Sequence, residues 1–191
     1  MLNLPNLLTM SRIVIIPLVV ATFFFDSVPM RWTACALFTI AGVTDFFDGY
    51  LARRAKQVSR LGRFLDPIAD KLLVAAVLLM LVGFGRIDFN SENYSWFPAL
   101  VILLREILVS GLREFLAELH VSVPVTKLAK FKTTAQMIAL GFLIVGDAAP
   151  QWIPARHIGE LLLWGAAVLT LYTGYDYLKS GLAHMAKEPL A

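Results

Sequence analysis

The chain contains a single cysteine, Cys35. One thiol excludes an intrachain disulfide and a cysteine-based zinc site, and its place inside an apolar run reads as a small buried hydrophobe. Charge is scarce too: Asp, Glu, Lys and Arg make up 16% of the 191 residues, and the formal net charge is only +3. There is no basic tail, so no nucleic-acid partner is expected, and the positive residues are left to set topology or to bind phosphate. The chain has no low-complexity stretch and no internal repeat. No basic segment precedes the first apolar run and no small-x-small cleavage site follows it, so that run reads as retained rather than as a cleaved leader. Asn93-Tyr94-Ser95 matches a glycosylation acceptor, a triplet too common by chance to carry weight.

What the chain has in quantity is apolar sequence. The hydrophobic fraction is 58% and the mean hydropathy +0.70, too apolar for an ordinary soluble domain of this size. Long apolar runs with charged punctuation predict an all-α integral membrane protein of six transmembrane helices, forming one catalytic domain over residues 1–191. The spans are expected from Leu7 to Phe25, Arg31 to Arg53, Phe64 to Gly83, Phe97 to Leu119, Leu128 to Val145 and His157 to Leu178. Each is long enough to cross roughly 30 Å of hydrocarbon. Breakers separate them: Pro29, Gly83 with Gly85, Pro98, Pro124 and the Pro150–Pro154 segment.

The basic residues predict the orientation. Arg53, Arg54, Lys56, Arg60 and Arg63 fall in the second connection, Lys127, Lys130 and Lys132 around the fourth, and Lys179 and Lys187 near the C-terminus. Only Arg31, Arg86 and Arg156 fall on the other side. This bias puts both termini and the second connection in the cytoplasm, and the expected setting is the bacterial inner membrane. Trp32, Tyr94, Trp96 and Trp152 fall at span ends on the opposite side, as an interfacial aromatic belt would.

Against this background, TDFFDGYLARRAKQVSRLGRFLDPIADK, residues 44–71, carries four aspartates. Asp45 and Asp48 share one face of the second helix, continued by Gly49 and Ala52, with Arg53 beside it. Asp66 and Asp70 share a face at the start of the third, with Gly62 one turn earlier. Pro67 is tolerated if it lies in the first helical turn. Four carboxylates this close cannot all stay ionised without counter-charge, least of all near a membrane. Arginine pairing, protonation or bound divalent cations would each resolve the conflict. Clustered carboxylate oxygens suit hard ions such as Mg²⁺ or Mn²⁺ rather than zinc. The small residues leave room for a bulky ligand to approach the backbone, although helix packing also uses them. A metal-bridged phosphate ligand accounts for acids, glycines and arginines together. A cation transporter is the alternative outside the enzyme class, but its acids would lie near the bilayer midplane rather than at one interface.

The pattern Asp45-x-x-Asp48-Gly49-x-x-Ala52-Arg53, then Gly62-x-x-x-Asp66-x-x-x-Asp70, resembles the full signature of the CDP-alcohol phosphotransferase family, with all eight residues at the family spacing. The resemblance extends to chain length and the six-span plan. It implies that Asp45, Asp48 and Asp66 bind metal, two Mg²⁺ or Mn²⁺ ions, and the pyrophosphate of a CDP-linked lipid. It also implies that Asp70, near a metal itself, is the general base on the acceptor hydroxyl. Gly49, Ala52, Arg53, Ser59 and Gly62 would hold the CDP part of the donor. The start, LPNLLTMSR, is similar to a family pattern close to the donor site, which adds Asn6 and Thr9, with Arg12 following. The residues alone leave another reading, with Asn6 or Thr9 as a helix cap and Arg12 snorkelling. Relatives resemble homodimers, so a homodimer in a lipid bilayer is expected.

The acceptor must be chosen elsewhere. REILVSGLRE on the fourth helix brings Arg105, Glu106, Arg113 and Glu114, and KLAKFKTTAQ on the fifth brings Lys132 and Thr133. Arginines inside a membrane helix mark ligand pathways or pairs, while sequence neighbours such as Arg105 and Glu106 are not expected to face each other. Arg105, Arg113, Lys132 and Thr133 would form a basic pocket suited to a phosphate. These segments are similar to the family branch that uses sn-glycerol 3-phosphate. The expected reaction is transfer of the phosphatidyl group of CDP-diacylglycerol to that acceptor, releasing CMP. Inositol phosphate, serine or a second lipid are the alternatives.

Overall fold

A computed structural model describes residues 4–55, 60–87, 94, 96–118 and 127–185, with side chains described over 10–44, 65, 67–87, 94, 96–117, 128, 131–179 and 181–182. These residues form six α-helices: α1 (Leu4–Phe23), α2 (Val28–Ala55), α3 (Arg60–Gly83), α4 (Trp96–Glu118), α5 (Lys127–Val145) and α6 (Ala155–Met185), with a short 3₁₀ turn at Gly146–Ala148. No strand occurs among the described residues. Prolines mark several starts. Pro29 and Pro98 fall in the first turns of α2 and α4, and Pro154 directly precedes α6, positions where a missing N–H costs little.

The helix boundaries lie within three residues of where the apolar runs predict, with two exceptions. The third begins at Arg60, not near Phe64, so Pro67 is inside the helix rather than in its first turn. The ring removes the bond that would run to the Arg63 carbonyl, and the helix absorbs that loss. The sixth continues past Leu178 to Met185, because polar residues end an apolar run without ending a helix. Among the described residues one stretch, Ala155–Lys179, is long and apolar enough to cross a bilayer by itself.

Packing is most extensive between α5 and α6, followed by α1 with α2, α4 with α6, and α1 with α3. Although consecutive, α2 and α3 make only slight contact with each other, and both pack against α1 and α5. The core draws on every helix: Val19 and Phe23, Phe38 and Ala41, Val77 and Leu81, Ile102, Leu140 and Leu143, and Leu163 with Ala166.

The α5–α6 seam leaves no room for a Cβ at Gly159. A Cβ there would lie 2.7 Å from Leu143 Cγ and 3.1 Å from the Leu143 backbone nitrogen. At Gly42 a Cβ would meet only the Met137 methyl, at 2.7 Å, the far end of a flexible side chain. Gly159→Ala is therefore expected to cost about 1–3 kcal/mol in overpacking, more than the roughly 0.5–1 kcal/mol that alanine gains over glycine in a helix. Gly42→Ala should be neutral or mildly stabilising. Thermal unfolding in detergent checks the pair: equal midpoints would contradict the assignment of the seam.

At the end of the bundle that holds Trp32 and Trp152, one guanidinium joins three elements. Arg86, just after α3, donates from Nη1 to the Ile144 carbonyl at 2.9 Å. It also stacks 4.5 Å from the centroid of Phe23 and lies 3.9 Å from Asp26. Arg31 donates to the same Asp26 carboxylate from Nη2 at 2.8 Å and from Nε at 3.1 Å. Trp32 Nε1 donates to the Ala148 carbonyl at 3.3 Å. The hydrogen bonds from Arg31, then its charge, hold the Asp26 carboxyl below the usual carboxylate range. A depressed carboxyl contributes stability above its unfolded-state pKa and loses that contribution as pH falls through the folded one. Asp26→Asn should accordingly lower the melting midpoint slightly at pH 7, since the carboxylate is exposed. The gap from wild type should close on acidification below the carboxylate range. A gap of constant size down to that pH would show that the charge is not its source.

Candidate active site

The four aspartates sit on two helix ends joined by a short connection. Asp45, Asp48, Gly49, Ala52 and Arg53 lie in the last turns of α2, and Gly62, Asp66 and Asp70 in the first turns of α3. The helical register of both groups is that expected from their spacing. The side chains of Asp45, Asp48, Arg53 and Asp66, and those of Asn6 and Thr9 on α1, lie outside the described residues, and Ser59 does so altogether. Asp70 is described and half-buried. Among the described residues no group of three His, Cys, Asp or Glu side chains could hold a metal. Four carboxylates over two helix ends are of a chemistry that would suit a hard divalent cation.

Beside this end of α3 lies a polar cluster built by three other helices. Lys132, on α5, is 4% exposed. Its ammonium donates to Glu106 Oε1 on α4. Arg105 Nη1 approaches the same oxygen at 3.3 Å. The remaining donors of Arg105 go to α6: Nε to the Thr170 carbonyl at 3.1 Å and Nη2 to Thr173 Oγ1 at 3.0 Å. Thr173 in turn donates to the Leu169 carbonyl at 2.9 Å, a bond that lets a hydroxyl sit inside an apolar helix. The charges of Glu106, Arg105 and Asp70 all act on Lys132. The cluster therefore reaches the α3 carboxylate across helix boundaries. A second tie completes it: Lys71, next to Asp70, donates to Ser110, one turn beyond Glu106 on α4.

The contact between Arg105 and Glu106 corrects the expectation that neighbours on one helix cannot face each other. Spacing governs Cβ positions, but both side chains are long enough for Arg105 Nη1 to reach Glu106 Oε1, the oxygen that also accepts from Lys132 on another helix. Arg105 and Lys132 come together through Glu106, whereas Arg113 and Thr133 are exposed. Arg12 is 2% exposed, so it does not snorkel. Lys71, Ser110, Thr170 and Thr173 were not singled out by the sequence. Their one signal is polarity inside apolar helices, and that gives no partner.

Comparisons with known proteins agree with the signature. The family CDP-alcohol phosphatidyltransferase matches residues 2–172. A Rickettsia bellii protein named CDP-diacylglycerol–glycerol-3-phosphate 3-phosphatidyltransferase is 49% identical over 178 residues, covering 93% of this chain and 94% of its own. Proteins of the same name from Shigella flexneri serotype 5b and Cereibacter sphaeroides are 41% and 38% identical, each aligned over 97% of this chain and 98% of their own. The eight spaced residues on two helix ends are thus one part of a likeness that runs almost from end to end, and the chain belongs to the CDP-alcohol phosphatidyltransferase family.

Proposed function

We propose that this protein transfers the phosphatidyl group of CDP-diacylglycerol to sn-glycerol 3-phosphate, giving phosphatidylglycerol phosphate and CMP. The name shared by the full-length relatives specifies this donor and this acceptor. Family membership also decides between the two classes that four clustered acids leave open, in favour of an enzyme over a cation transporter. The structural observation that favours a phosphate-bearing acceptor is Lys132, a buried ammonium in one cluster with Arg105 and beside the α3 end that carries Asp70. A cation there draws a phosphate-bearing alcohol to the carboxylate that must take its proton. An alcohol that carries no anion has no use for it.

The roles follow from chemistry that is mainly positioning and charge neutralisation. Asp45, Asp48, Asp66 and Asp70 would hold two divalent cations, Mg²⁺ or Mn²⁺, whose charge offsets that of the donor pyrophosphate and the departing CMP. Gly49, Ala52 and Gly62 give the CDP moiety close approach to α2 and α3, and Arg53, Ser59, Asn6 and Thr9 contact it. Arg105 and Lys132 hold the acceptor phosphate, with Arg113 and Thr133 at the exposed edge. Asp70 takes the proton of the acceptor hydroxyl, whose oxygen bonds to the β-phosphorus. The bond from that phosphorus to CMP breaks, and CMP leaves with the electron pair.

The setting is a single six-span domain in the bacterial inner membrane, with the active site and both termini on the cytoplasmic side, working as a homodimer. Outward-facing side chains such as Ile107, 70% exposed, and Leu161, 76% exposed, support a lipid environment, where they need no water. The purified protein, given CDP-diacylglycerol, Mg²⁺ or Mn²⁺ and a panel of alcohols, should release CMP with glycerol 3-phosphate. No CMP with any acceptor would refute the transferase reading, and turnover with inositol phosphate or serine alone would refute the acceptor.

A further inference from the structure

Glu106 is an unexpected residue to find among cations that bind an anion. Its Oε1 accepts from Lys132 and lies 3.3 Å from Arg105 Nη1. The Lys132 side chain is 5% exposed and that of Glu106 22%, so the pair is shielded from water. A buried ammonium keeps its charge and place only against a counter-charge. Glu106 supplies the larger share, and Asp70, acting from α3, remains as a counter-charge when Glu106 is neutralised. An incoming phosphate brings a second anion to the same donors.

The two cations can respond differently. Arg105 is fixed by its bonds to Thr170 and Thr173 on α6, and its planar fork turns only as a unit. Lys132 ends in a compact ammonium on a flexible stem and can swing from carboxylate to phosphate. Phosphate binding therefore proceeds against an existing ion pair, and whatever Lys132 gives to the ligand it takes from Glu106. Glu106, left behind, also repels the phosphate.

We propose that Glu106 is a resident counter-anion, one that competes with the acceptor phosphate for Lys132 and Arg105. This rests on the reading of those cations as the acceptor's phosphate ligands. Competition weakens the acceptor and also the product, which carries the same phosphate. It trades uniform binding, which does not speed the chemical step, for turnover. Glu106 is thus a positioning residue that sets acceptor affinity through Lys132.

The test measures initial rates of the full-length protein against glycerol 3-phosphate, with inorganic phosphate as a competing anion. Glu106→Gln keeps the shape and removes the charge. It should lower the KM for glycerol 3-phosphate and the inhibition constant of phosphate together, by about tenfold. The KM for CDP-diacylglycerol should not change, and kcat should fall as product is held longer. Glu106→Asp, which keeps the charge, should tighten neither anion as Glu106→Gln does, and tightening of the same size in both variants would count against charge competition. A merely structural glutamate would reduce yield or kcat without tightening either anion, so an unchanged or raised KM in Glu106→Gln overturns the proposal. If Glu106→Gln does not fold, a neutral pair decides. Lys132→Gln alone should raise the acceptor KM at least about tenfold, and adding Glu106→Gln should recover part of that loss, whereas no recovery counts against competition. If Lys132→Gln leaves both the acceptor KM and phosphate inhibition unchanged, the phosphate-site reading itself fails, and the counter-anion role falls with it.

Discussion

Asp70→Asn should lower turnover by about 10²–10⁴-fold, the usual contribution of a positioned general base, while the protein still folds and binds CDP-diacylglycerol. Asparagine preserves the size of the side chain and one oxygen donor, so α3 and its neighbours need not move. It cannot accept the hydroxyl proton. Asp70 is suited to that step because it is half-buried yet within reach of the charge on Lys132, which in the proposed mechanism brings the acceptor to it. The loss should fall on kcat and on kcat/KM alike, the mark of an interaction made only in the transition state. Donor affinity, read by binding of labelled CDP-diacylglycerol, should change little. Turnover within a few-fold of wild type would remove Asp70 from the role of base.

Chelation should have an effect at least as large. With EDTA, CMP release should fall to background and return with Mg²⁺ or Mn²⁺. The expected cause is the four carboxylates on the ends of α2 and α3: without the proposed cations between them they would repel one another and the donor pyrophosphate. A readout besides activity follows from mass action. Cations that bind only the folded arrangement raise its stability by RT ln(1 + [L]/Kd), about 2.7 kcal/mol at a hundredfold excess over Kd. The melting midpoint should therefore climb with Mg²⁺, and Asp45→Ala or Asp66→Ala should blunt the climb. Full activity in EDTA, or a midpoint indifferent to the cation, would leave the carboxylates without the role given to them.

The sequence makes some of this arrangement legible and hides the rest for identifiable reasons. The helices could be read because apolar runs, prolines and basic clusters punctuate the chain. The register of Asp45 with Asp48 and of Asp66 with Asp70 followed from spacing alone, since a helix fixes which residues share a face. The start of α3 was misplaced because Pro67 usually stands in a first turn, and here the helix tolerates it inside. Lys132 could be suspected as a cation in an apolar helix. Its partner could not be named, because Glu106 is far away in the chain, on another helix. Thr170 and Thr173 are hidden for the same reason: a tertiary hydrogen bond leaves no periodic trace.

The bonds that fix Arg105 to α6 also set how freely that turn can drift over generations. At position 170 the acceptor is a backbone carbonyl, which every residue possesses. The Thr170 hydroxyl is itself buried with no hydrogen-bond partner, so valine could replace it with the tie intact. Position 173 must keep a side-chain acceptor for Arg105 Nη2. Position 174 must stay small, since a Cβ on Gly174 would stand 3.1 Å from Arg105 Cγ and 3.3 Å from its Nε. One helical turn thus holds a permissive position beside two restrictive ones. A family tree of such enzymes should show variety at 170, where a threonine looks functional, and little at 174, where a glycine looks like filler.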